Sequence, residues 1–594
     1  MNNLSPFKSF VLQNFPYIEA DFDALTNYEL MCKVVEYLNA TIDEVNKLSI
    51  EMKTFEEWFD NLDVQDEVDH KLDEMAESGE LQEIMSDYLN AKAVFGFANV
   101  SAMQDATNLV NGSLAYTYGF TTIGDGGSAK YKIRNVTTED TIDGYLLIAI
   151  TDTLVAELIM DDEITPEMFG AIGDGETDDT DAFVRAINTH KKIVSDGIKV
   201  YKLDKINTSE DINIENCNFY SDAEESATDV RFLFRTYSYN VKFTNCNFES
   251  SFDYIPVINQ INGSTDGLAS NVIAIRGEHG CEIKNCKFKL IYGIDSRGKT
   301  IVDNCNFEDV EMGILTNTTD DVRITNSIFK MNKLVDSQYY HALYIQAAEK
   351  SFVADNIVIS ENDEDGDCGD HLHFKHPSSN SITTPNAIVS NVTINGDLSF
   401  SYLTQNNNAK ITFENLTYKG TTGGGIQTGQ SGADTFINCT INCAKATLFE
   451  CYNTTTAKDS TFNLSYPSDT GTVRLATRCN LELINTTIKG TNSSLNMNYE
   501  IGSLTANMIG CIFTLKSMNS MNVGGNGIVN NILNCVWNLT EGAINLAGRG
   551  FTSGIIRNAG YPTSAGTIAE HNGYDFLVYK SNTYFGRLTN ISSL

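Results

Sequence analysis

The sequence predicts a mainly β protein whose long C-terminal part is a β-solenoid and whose N-terminal part is helical. Two observations lead to this prediction: a short turn motif recurs along most of the chain, and a heptad pattern occupies residues 31–62. The composition is that of a folded chain, since apolar residues make up 42% of the 594 and charged residues only 20%. A chain of this length exceeds one ordinary domain, so several units are expected.

The charge and the cysteine content exclude several classes of protein. The chain has 41 basic and 78 acidic residues and a net charge of -37, so a nucleic-acid partner is not expected, because phosphate binding needs a surplus of Lys and Arg. We find neither a run of about 18 apolar residues nor a signal-peptide pattern, so membrane insertion is not expected. Thirteen scattered cysteines without a CxxC pair indicate synthesis in a reducing compartment.

The N-terminal helix is predicted by a heptad repeat with apolar residues at nine of its ten core positions. The a positions are Met31, Leu38, Val45, Met52 and Phe59, and the d positions are Val34, Thr41, Leu48, Phe55 and Leu62. The pattern is typical of a coiled coil, although an amphipathic helix docked on a globular core has a similar stripe. An apolar seam needs a partner, and the simplest is another copy of the chain. Gly79 is expected to end the acidic helical segment that follows.

The middle of the chain contains two glycine-rich turns. The first, Phe120–Gly127, lies between two β-type runs and lacks the helix and the Lys of a phosphate loop, so we predict a hairpin turn. The second lies around Gly173 and Gly175 and precedes a predicted helix that is N-capped within residues 178–180. The inward face of that helix is predicted to hold Ala182, Phe183, Ala186 and Ile187.

The C-terminal part repeats a motif of Asn or Asp, a small residue, any residue and an apolar residue. Most spacings fall between 19 and 30 residues, the size of one solenoid coil. The motif begins at Asn216, Asn245, Asn285, Asn304, Asn326, Asn391, Asn415, Asn438, Asp459, Asn485, Gly510 and Asn534. Asn suits such a turn, because its amide can pair with its own backbone or with the Asn of the next coil.

Cysteines recur at the second position of this motif. Seven cysteines follow directly after the turn residue: Cys217, Cys246, Cys286, Cys305, Cys439, Cys511 and Cys535. We predict that they stack inside the solenoid as small apolar free thiols and not as metal ligands.

A second strand of each coil can be aligned. Its inward column is predicted to be Ile294, Ile314, Leu343, Leu372 and Leu398. Side chains alternate across a strand, so an outward column runs beside it and consists of Asp295, Leu315, Tyr344, His373 and Ser399. Stacked coils would therefore gather polar and aromatic side chains on one outer face.

The string FGA-x-GDG-x-TDDT-x-AF-xx-AI in residues 169–187 resembles the entry motif of pectate-lyase-like right-handed parallel β-helix proteins, which are common in bacteriophage tail spikes and appendages. Residues 62–81 and 103–127 also resemble modules of such spikes. The resemblance implies a helical virion-attachment region (1–92), a small β-rich connector (93–163), a parallel β-helix (164–540) and a C-terminal cap or trimerisation segment (541–594). The Asp and Thr of the entry motif are expected to cap and turn, not to catalyse.

Candidate catalytic residues cluster between residues 336 and 376, a stretch that holds four of the eight histidines. Glycoside hydrolysis needs two carboxylates about 5–5.5 Å or about 6.5–9.5 Å apart, and positions on neighbouring coils have such separations. We predict the pair Asp336 and Asp370, with His341 and His373 positioning substrate or tuning proton transfer. Sugar binding is assigned to Tyr339, Tyr340, Tyr344, His371 and Lys375.

Other interpretations of this stretch stay open. Residues 361–370 could be a solvated acidic insertion. Asp363, Asp365 and Asp367 vaguely resemble a calcium loop but lack the glutamate twelve residues from the first ligand. The residues of the calcium-dependent lyases of this fold cannot be matched, and no Ser-His-Asp grouping favours an esterase. We therefore expect neither a metal nor another cofactor.

Together these features predict a homotrimeric tail spike or appendage, made in the host cytoplasm and carried on the virion. Its N-terminal helices would attach it to other tail proteins, and its β-helix would bind and cleave a bacterial surface polysaccharide. A non-enzymatic adhesin and a purely structural appendage are the alternatives. Two acids paired in a groove would favour polysaccharide cleavage, and a shallow aromatic groove without paired acids would favour an adhesin. A solenoid surface covered by neighbouring virion proteins would favour a structural appendage.

Overall fold

The computed structural model describes residues 27–60, 74–79, 84, 94–222, 231–251, 255–259, 264–268, 272–310, 312–318, 320–331, 341–361, 372–374, 387–395, 402–406, 410–420, 425–428, 433–444, 447–450, 454–465, 472–477, 480–496, 505–520, 528–533, 535–539, 554–558, 567–571, 574–579 and 582–585. The chain divides into two compact units: residues 1–93 with 108–110, and residues 94–107 with 111–594. No helix in the described ranges is both long enough and apolar enough to span a membrane.

The first unit contains a 34-residue helix, α1 (Asn27–Asp60), which confirms the helix predicted from the heptad. Its heptad residues Leu38, Leu48 and Met52 are exposed in the single chain. Residues 74–78 are also helical, and Gly79 follows with a φ of 81°. A left-handed glycine at this position ends a helix without steric cost, as predicted for Gly79.

The second unit begins with a small five-stranded sheet of order β1–β2–β3–β5–β4. Its elements are β1 (Val94–Phe97), α2 (Val100–Gln104), β2 (Leu114–Thr117), β3 (Ala129–Asn135), β4 (Leu147–Ala149) and β5 (Leu154–Ile159). Strands β2 and β3 pair antiparallel across the glycine-rich turn, so the predicted hairpin is confirmed.

The carboxylate of Asp125 organises that hairpin turn. It accepts hydrogen bonds from the backbone N–H groups of Phe120 (3.1 Å), Thr121 (2.7 Å), Thr122 (2.9 Å) and Gly127 (2.8 Å). Burial raises the pKa of Asp125, but these hydrogen bonds outweigh burial and lower the pKa below its usual value. The aspartate of this glycine-rich string is therefore structural.

The entry motif folds as predicted. It forms β6 (Glu163–Ile164), a 3-10 helix (Pro166–Phe169), β7 (Asp174–Asp178) and α3 (Thr180–Ile187). Asp179 is the N-cap of α3, and its carboxylate accepts hydrogen bonds from the N–H groups of Ile172 (2.7 Å) and Gly173 (3.0 Å). The apolar face of α3 is buried against the first coils. Asp179 thus holds the preceding turn, while its side chain makes no capping hydrogen bond to α3; Asp174 likewise holds a turn by accepting from the N–H groups of Glu176 and Thr177.

Most of the remaining strands form the solenoid. Those up to residue 331 are β8 (Lys192–Val194), β9 (Val200–Lys202), β10 (Ile206–Thr208), β11 (Ile212–Glu215), β12 (Asn218–Ser221), β13 (Arg231–Thr236), β14 (Val241–Thr244), β15 (Asn247–Ser250), β16 (Ile255–Asn259), β17 (Ser264–Leu268), β18 (Val272–Gly277), β19 (Gly280–Lys284), β20 (Lys287–Lys289), β21 (Tyr292–Ser296), β22 (Lys299–Asp303), β23 (Asn306–Val310), β24 (Met312–Thr318), β25 (Asp321–Thr325) and β26 (Ile328–Met331).

The later strands are β27 (His341–Ala348), β28 (Ser351–Glu361), β29 (Leu372–Phe374), β30 (Ala387–Asn395), β31 (Tyr402–Asn406), β32 (Lys410–Glu414), β33 (Thr417–Tyr418), β34 (Gly425–Thr428), β35 (Ala433–Ile437), β36 (Thr440–Cys443), β37 (Thr447–Glu450), β38 (Thr454–Lys458), β39 (Thr461–Leu464), β40 (Thr472–Thr477), β41 (Asn480–Ile484), β42 (Thr487–Asn496), β43 (Thr505–Ile509), β44 (Ile512–Ser520), β45 (Ile528–Leu533), β46 (Cys535–Leu539), β47 (Gly554–Asn558), β48 (Thr567–His571), β49 (Tyr574–Tyr579) and β50 (Asn582–Phe585).

Each coil pairs in parallel with the next coil, which is the topology of a parallel β-helix. One column of strands runs β11–β14–β19–β22–β25–β28, a second runs β12–β15–β20–β23–β26, and a third is the seven-stranded sheet β10–β13–β18–β21–β24–β27–β29. Two sets of strands depart from this pattern. Strands β16 and β17 pair antiparallel in a sheet of their own, and the last described strands make the antiparallel pairs β47–β50, β48–β49 and β49–β50.

The repeated turn residue has one conformation throughout. Every predicted first position from Asn216 to Gly510 has a positive φ, between 49° and 64°, and so does Asn356. Asn534 lies outside the described residues. Within the ladder the amide of Asn285 donates to Asn245 (3.0 Å), and that of Asn304 donates to Asn285 (2.8 Å). The left-handed turn selects Asn, and stacking of coils then satisfies its amide.

The core is built from columns of identical side chains. The seven predicted cysteines are buried free thiols. A second column consists of phenylalanines, and the rings of Phe288, Phe307 and Phe329 stack nearly parallel with centroids 4.6 and 4.5 Å apart. In-register stacking of this kind follows from coils of closely similar geometry.

We expect Cys217, Cys246, Cys286 and Cys305 to resist a thiol reagent in the native protein and to react on unfolding. All four are buried, and burial raises the pKa of Cys217 and of Cys286 well above the usual value, so little nucleophilic thiolate forms. Mass-resolved labelling with and without denaturant measures this. Half-buried Cys32 on α1 is the internal control and should react first. Rapid native labelling of all four would contradict the predicted register.

Candidate functional site

The seven-stranded sheet carries an in-register row of chemically varied residues. Backbone pairing aligns one residue from each of six strands: Arg235, Arg276, Asp295, Leu315, Tyr344 and His373. The adjacent row aligns Ile275, Ile294, Ile314, Leu343 and Leu372. Both rows were predicted from β21 onwards, and their register is confirmed up to β29. Leu398 and Ser399, assigned to the next coil, lie outside the described residues.

A buried carboxylate lies at the centre of this row. Asp295 is 0% exposed, and its carboxylate contacts Arg276 Nη1 (Oδ2, 3.4 Å) and Arg297 Nε (Oδ1, 3.0 Å). Arg297 Nη2 also donates a hydrogen bond to Oδ2 (3.2 Å). A buried charge needs such partners, since transfer of an unpaired carboxylate from water is very costly. Burial also raises the pKa of nearby Tyr292 well above its usual value, and the Asp295 charge adds to this shift.

A second ion cluster adjoins the first on the neighbouring strands. Glu278 Oε1 contacts Arg235 Nη2 (2.8 Å) and Arg276 Nε (2.9 Å). The Arg235 guanidinium lies 5.2 Å from the ring centroid of Tyr237, and Tyr239 stacks on His279 with centroids 4.2 Å apart. Arginine and exposed tyrosine therefore occur together at this end of the sheet.

Two of the predicted site residues have described side chains, and both are buried. His341 begins β27, and Tyr344 lies three residues later in the same strand; they are 5% and 3% exposed. Their rings stack with centroids 4.9 Å apart and an interplanar angle of 13°. The expectation that this row lies open on an outer face is therefore wrong where side chains are described, because Asp295, Leu315 and Tyr344 are all buried. Asp295 contacts the two arginines, and Tyr344 packs on the His341 ring. Tyr344 offers no open face for a sugar in this structure.

The other predicted site residues are not placed. The backbone of His373 lies in β29, paired with Tyr344. Asp336, Asp370, Tyr339, Tyr340, His371 and Lys375 lie outside the described residues, as does the suggested cation loop at residues 363–367. Asp370 precedes β29 by two residues, and Asp336 precedes β27 by five. Within the described ranges, no group of three or more His, Cys, Asp and Glu residues could hold a metal ion.

Sequence reasoning missed the arginine clusters. Arg235, Arg276 and Arg297 come from three successive strands of the sheet or their ends, and they are up to 62 residues apart in the chain. The aligned strand pattern included Asp295 and Arg297, so extending that pattern back to β18 and β13 would have found the other two.

A polar groove on the second column of strands is a less suitable catalytic site. It is lined partly by Tyr220, Glu249, Lys287 and Lys289. Lys289 Nζ lies 2.8 Å from Glu249, and Lys287 Nζ lies 2.8 Å from Glu308 on the next strand. The Lys287 hydrogen bond lowers the pKa of Glu308, which therefore does not suit a general acid.

The family comparison supports the fold. A family model described as a right-handed β-helix region matches residues 271–441. The predicted right-handed parallel β-helix is thereby confirmed. No curated protein sequence matches the chain significantly.

Solved structures with this fold are similar to the chain at low identity. WceF of Pantoea stewartii, a glycan biofilm modifying enzyme with a tailspike-like β-helix, is 9% identical (TM-score 0.27), with 81% of this chain and 54% of that chain covered. Tailspike protein 2 of an Escherichia coli O157:H7 bacteriophage is 10% identical (TM-score 0.31; 76% and 52%). Tailspike gp49 of Acinetobacter baumannii bacteriophage Fri1, a capsular polysaccharide depolymerase, is 11% identical (TM-score 0.32; 83% and 96%). The chain spans about half the length of the first two.

Proposed function

We propose that this right-handed β-helix protein is a bacteriophage tail spike or appendage that binds a bacterial surface polysaccharide and cleaves it by glycoside hydrolysis. The observation that supports the proposal best is the in-register row on the seven-stranded sheet. It aligns arginine, aspartate, tyrosine and histidine from successive coils. Asp295 and Tyr344 in this row are buried, so the groups open to a sugar are the partly exposed Arg235 and the exposed Tyr237 and Tyr239 at its edge. Aromatic and hydrogen-bonding side chains together are what sugar rings require.

In this proposal Asp336 and Asp370 supply the acid–base pair. They precede β27 and β29, which pair directly with each other. His341 begins β27 and His373 lies in β29, so both histidines belong to the two strands that the acids precede. One protonated and one ionised carboxyl would perform the reaction, with a histidine tuning proton transfer or positioning the sugar.

Binding without cleavage is the second candidate function, and one observation favours it. The two described carboxylates next to the aromatic residues, Glu278 and Asp295, are each ion-paired with two arginines. Both carboxylates are occupied by guanidinium groups, and Asp295 is also buried, so neither is placed to deliver a proton to a bound sugar. In that case the sheet would serve an adhesin.

Incubation of the purified protein with capsular polysaccharide from candidate hosts separates these functions. Hydrolysis predicts oligosaccharides with new reducing ends and no unsaturated sugar. A reducing-end assay detects the former, and the ultraviolet absorbance of a conjugated double bond would detect the latter. Binding without any shortening of the polymer would favour the adhesin. If the protein neither binds nor shortens any host polysaccharide, the glycan function is refuted.

We further propose that α1 forms a three-stranded coiled coil and that the N-terminal region attaches the trimer to other tail proteins. The exposed apolar heptad residues Leu38, Leu48 and Met52 support an interface between copies. Three α1 helices would bury this seam, since a and d side chains form the core of a coiled coil.

Leu48→Asp should therefore dissociate the trimer. Each buried, unpaired carboxylate costs several kcal/mol, so the seam cannot close around three of them. Light scattering after size-exclusion chromatography gives the oligomer mass. Asn46→Asp is the matched control, because it adds the same charge at an exposed position beside the seam and should leave the trimer intact. A monomeric wild-type chain, or a trimeric Leu48→Asp variant, would contradict this role of α1.

A further inference from the structure

We propose that an arginine–tyrosine patch at the edge of the seven-stranded sheet binds the carboxylate groups of an acidic polysaccharide. The patch consists of Arg235, Arg276, Arg297, Tyr237 and Tyr239. This inference rests on the proposed glycan function and narrows its substrate to polymers that contain uronic acid or a related acidic sugar. It does not depend on whether the polymer is cleaved.

The patch concentrates arginine side chains on a chain that is otherwise strongly acidic. The chain carries a net charge of -37, which repels an anionic polymer at long range. Here three guanidinium groups face two carboxylates, Glu278 and Asp295, and Asp295 is fully buried beneath Arg276 and Arg297. The arginines remain partly exposed, at 34% for Arg235, 20% for Arg276 and 22% for Arg297. At the arginines the guanidinium groups are thus more exposed than the carboxylates they contact, since Glu278 is 17% exposed and Asp295 is buried; the exposed carboxylate of Asp211 lies at the neighbouring tyrosine turn.

The arginines have donors beyond their ion pairs. A guanidinium carries five N–H donors in a fixed plane. Arg235 contacts Glu278 through Nε and Nη2, so its Nη1 lies outside those contacts. Arg297 contacts Asp295 through Nε and Nη2. The existing ion pairs hold each guanidinium in place, and a fixed guanidinium can bind an incoming carboxylate with two parallel hydrogen bonds.

The tyrosines next to the arginines form a platform for sugar rings. Tyr239 is 78% exposed, and its ring is held flat against His279 at an interplanar angle of 8°. The turn that carries both tyrosines is fixed by Asp211, which accepts hydrogen bonds from Ser238 (2.5 Å) and Asn240 (3.1 Å). Tyr237, two residues before Tyr239, is the tyrosine beside a guanidinium, 5.2 Å from that of Arg235. Exposed aromatic rings near a guanidinium match an acidic sugar, which offers an apolar ring face and a carboxylate.

The position of the patch suits a subsite next to the proposed catalytic residues. Arg276 lies on β18 and Tyr344 on β27, three strand steps apart in the same row. At about 4.8 Å per step this is about 14 Å, which is a distance within reach of one bound oligosaccharide. The patch would hold the polymer by its carboxylates while β27 and β29 lie beside the reacting bond.

The test compares acidic polysaccharides with their carboxyl-reduced forms. Capsular polysaccharides that contain uronate or sialate are each reduced chemically to the neutral polymer, and both forms are titrated with the full-length protein. We expect at least one acidic form to bind about 10- to 100-fold more tightly than its reduced partner, the range for loss of a charged hydrogen bond. Added salt should weaken the binding of the acidic form.

Three variants test whether the patch causes the tighter binding of the acidic polymer. Arg235→Gln should weaken binding of the acidic form about 10- to 100-fold and leave binding of the reduced form unchanged. Tyr239→Ala should weaken binding of both forms, because stacking does not depend on the carboxylate. Lys191→Gln is the matched control: it removes a partly exposed cation that also pairs with an acid, Asp162 at 3.2 Å, but lies in the first coil.

The outcomes separate this inference from the function on which it rests. Binding of an acidic polymer that is never shortened upholds the patch and refutes hydrolysis. Cleavage of a neutral polymer that Arg235→Gln leaves unchanged upholds hydrolysis and overturns the patch. Equal affinity for acidic and reduced forms, or no binding of any acidic polymer, also overturns it.

Discussion

Asp336→Asn and Asp370→Asn should each lower the rate of polysaccharide cleavage by about 100- to 10,000-fold, the range for loss of a general acid or base. Asn keeps the shape of Asp but can neither donate the catalytic proton nor carry the charge. In the proposed pair each carboxylate would raise the pKa of the other, so that one would be protonated while the other is ionised. Binding of the polysaccharide should change only a few-fold, because the contacts to the sugar remain.

The initial rate of reducing-end release, measured beside equilibrium binding, tests this prediction. Asp363→Asn is the matched control, since it removes a carboxylate from the same acidic segment and should cleave at the wild-type rate. The double variant should be about as slow as the slower single variant, because the two acids act as one unit. If both single variants cleave normally, the reaction occurs elsewhere on the chain.

Phe307→Ala should destabilise the coils around it by about 3–5 kcal/mol, the usual cost of emptying a buried aromatic site. Phe307 has no exposed surface, and its ring lies between those of Phe288 and Phe329. Removing the central ring leaves a cavity and also breaks two stacked contacts. Because the backbone is fixed by hydrogen bonds on both sides of each coil, the walls cannot collapse to fill the space.

Hydrogen exchange read strand by strand shows where the stability is lost. In a solenoid each repeat contacts mainly its neighbours, so β23 and the strands that pair with it should lose protection first. Ile328→Ala is the control, because Ile328 lies on β26, the strand stacked on β23, but its side chain is 43% exposed. This substitution should lower the free energy of unfolding by less than about 1 kcal/mol. Uniform loss of protection along the whole chain would argue against independent coils.

Much of the fold was predictable, because the sequence repeats wherever the backbone repeats. A left-handed turn is costly for most residues, so nearly every coil has Asn, Asp or Gly there, and the spacing of these residues shows the coil length. The space inside that turn is small and buried, so a small side chain such as Cys fits there, and Cys recurs directly after the turn residue. The heptad likewise predicts α1, since a single helix face sets its period. The turn of the entry motif is held by hydrogen bonds from Ile172 and Gly173 to the Asp179 carboxylate.

At the candidate site the alignment of the strands was predictable from the sequence, but the burial of the side chains was not. The repeat pattern alone predicts that the chain forms stacked coils and that Asp295, Leu315, Tyr344 and His373 share one row, as the strand pairing shows. The burial of Asp295 between Arg276 and Arg297, and the packing of Tyr344 on His341, become visible only in the folded coils. Strand alternation gives the face on which a side chain lies, whereas burial on that face depends on long side chains from neighbouring coils. Those neighbouring side chains are distant in the chain and do not recur at a regular spacing. A local sequence pattern therefore cannot predict which side chains they bury.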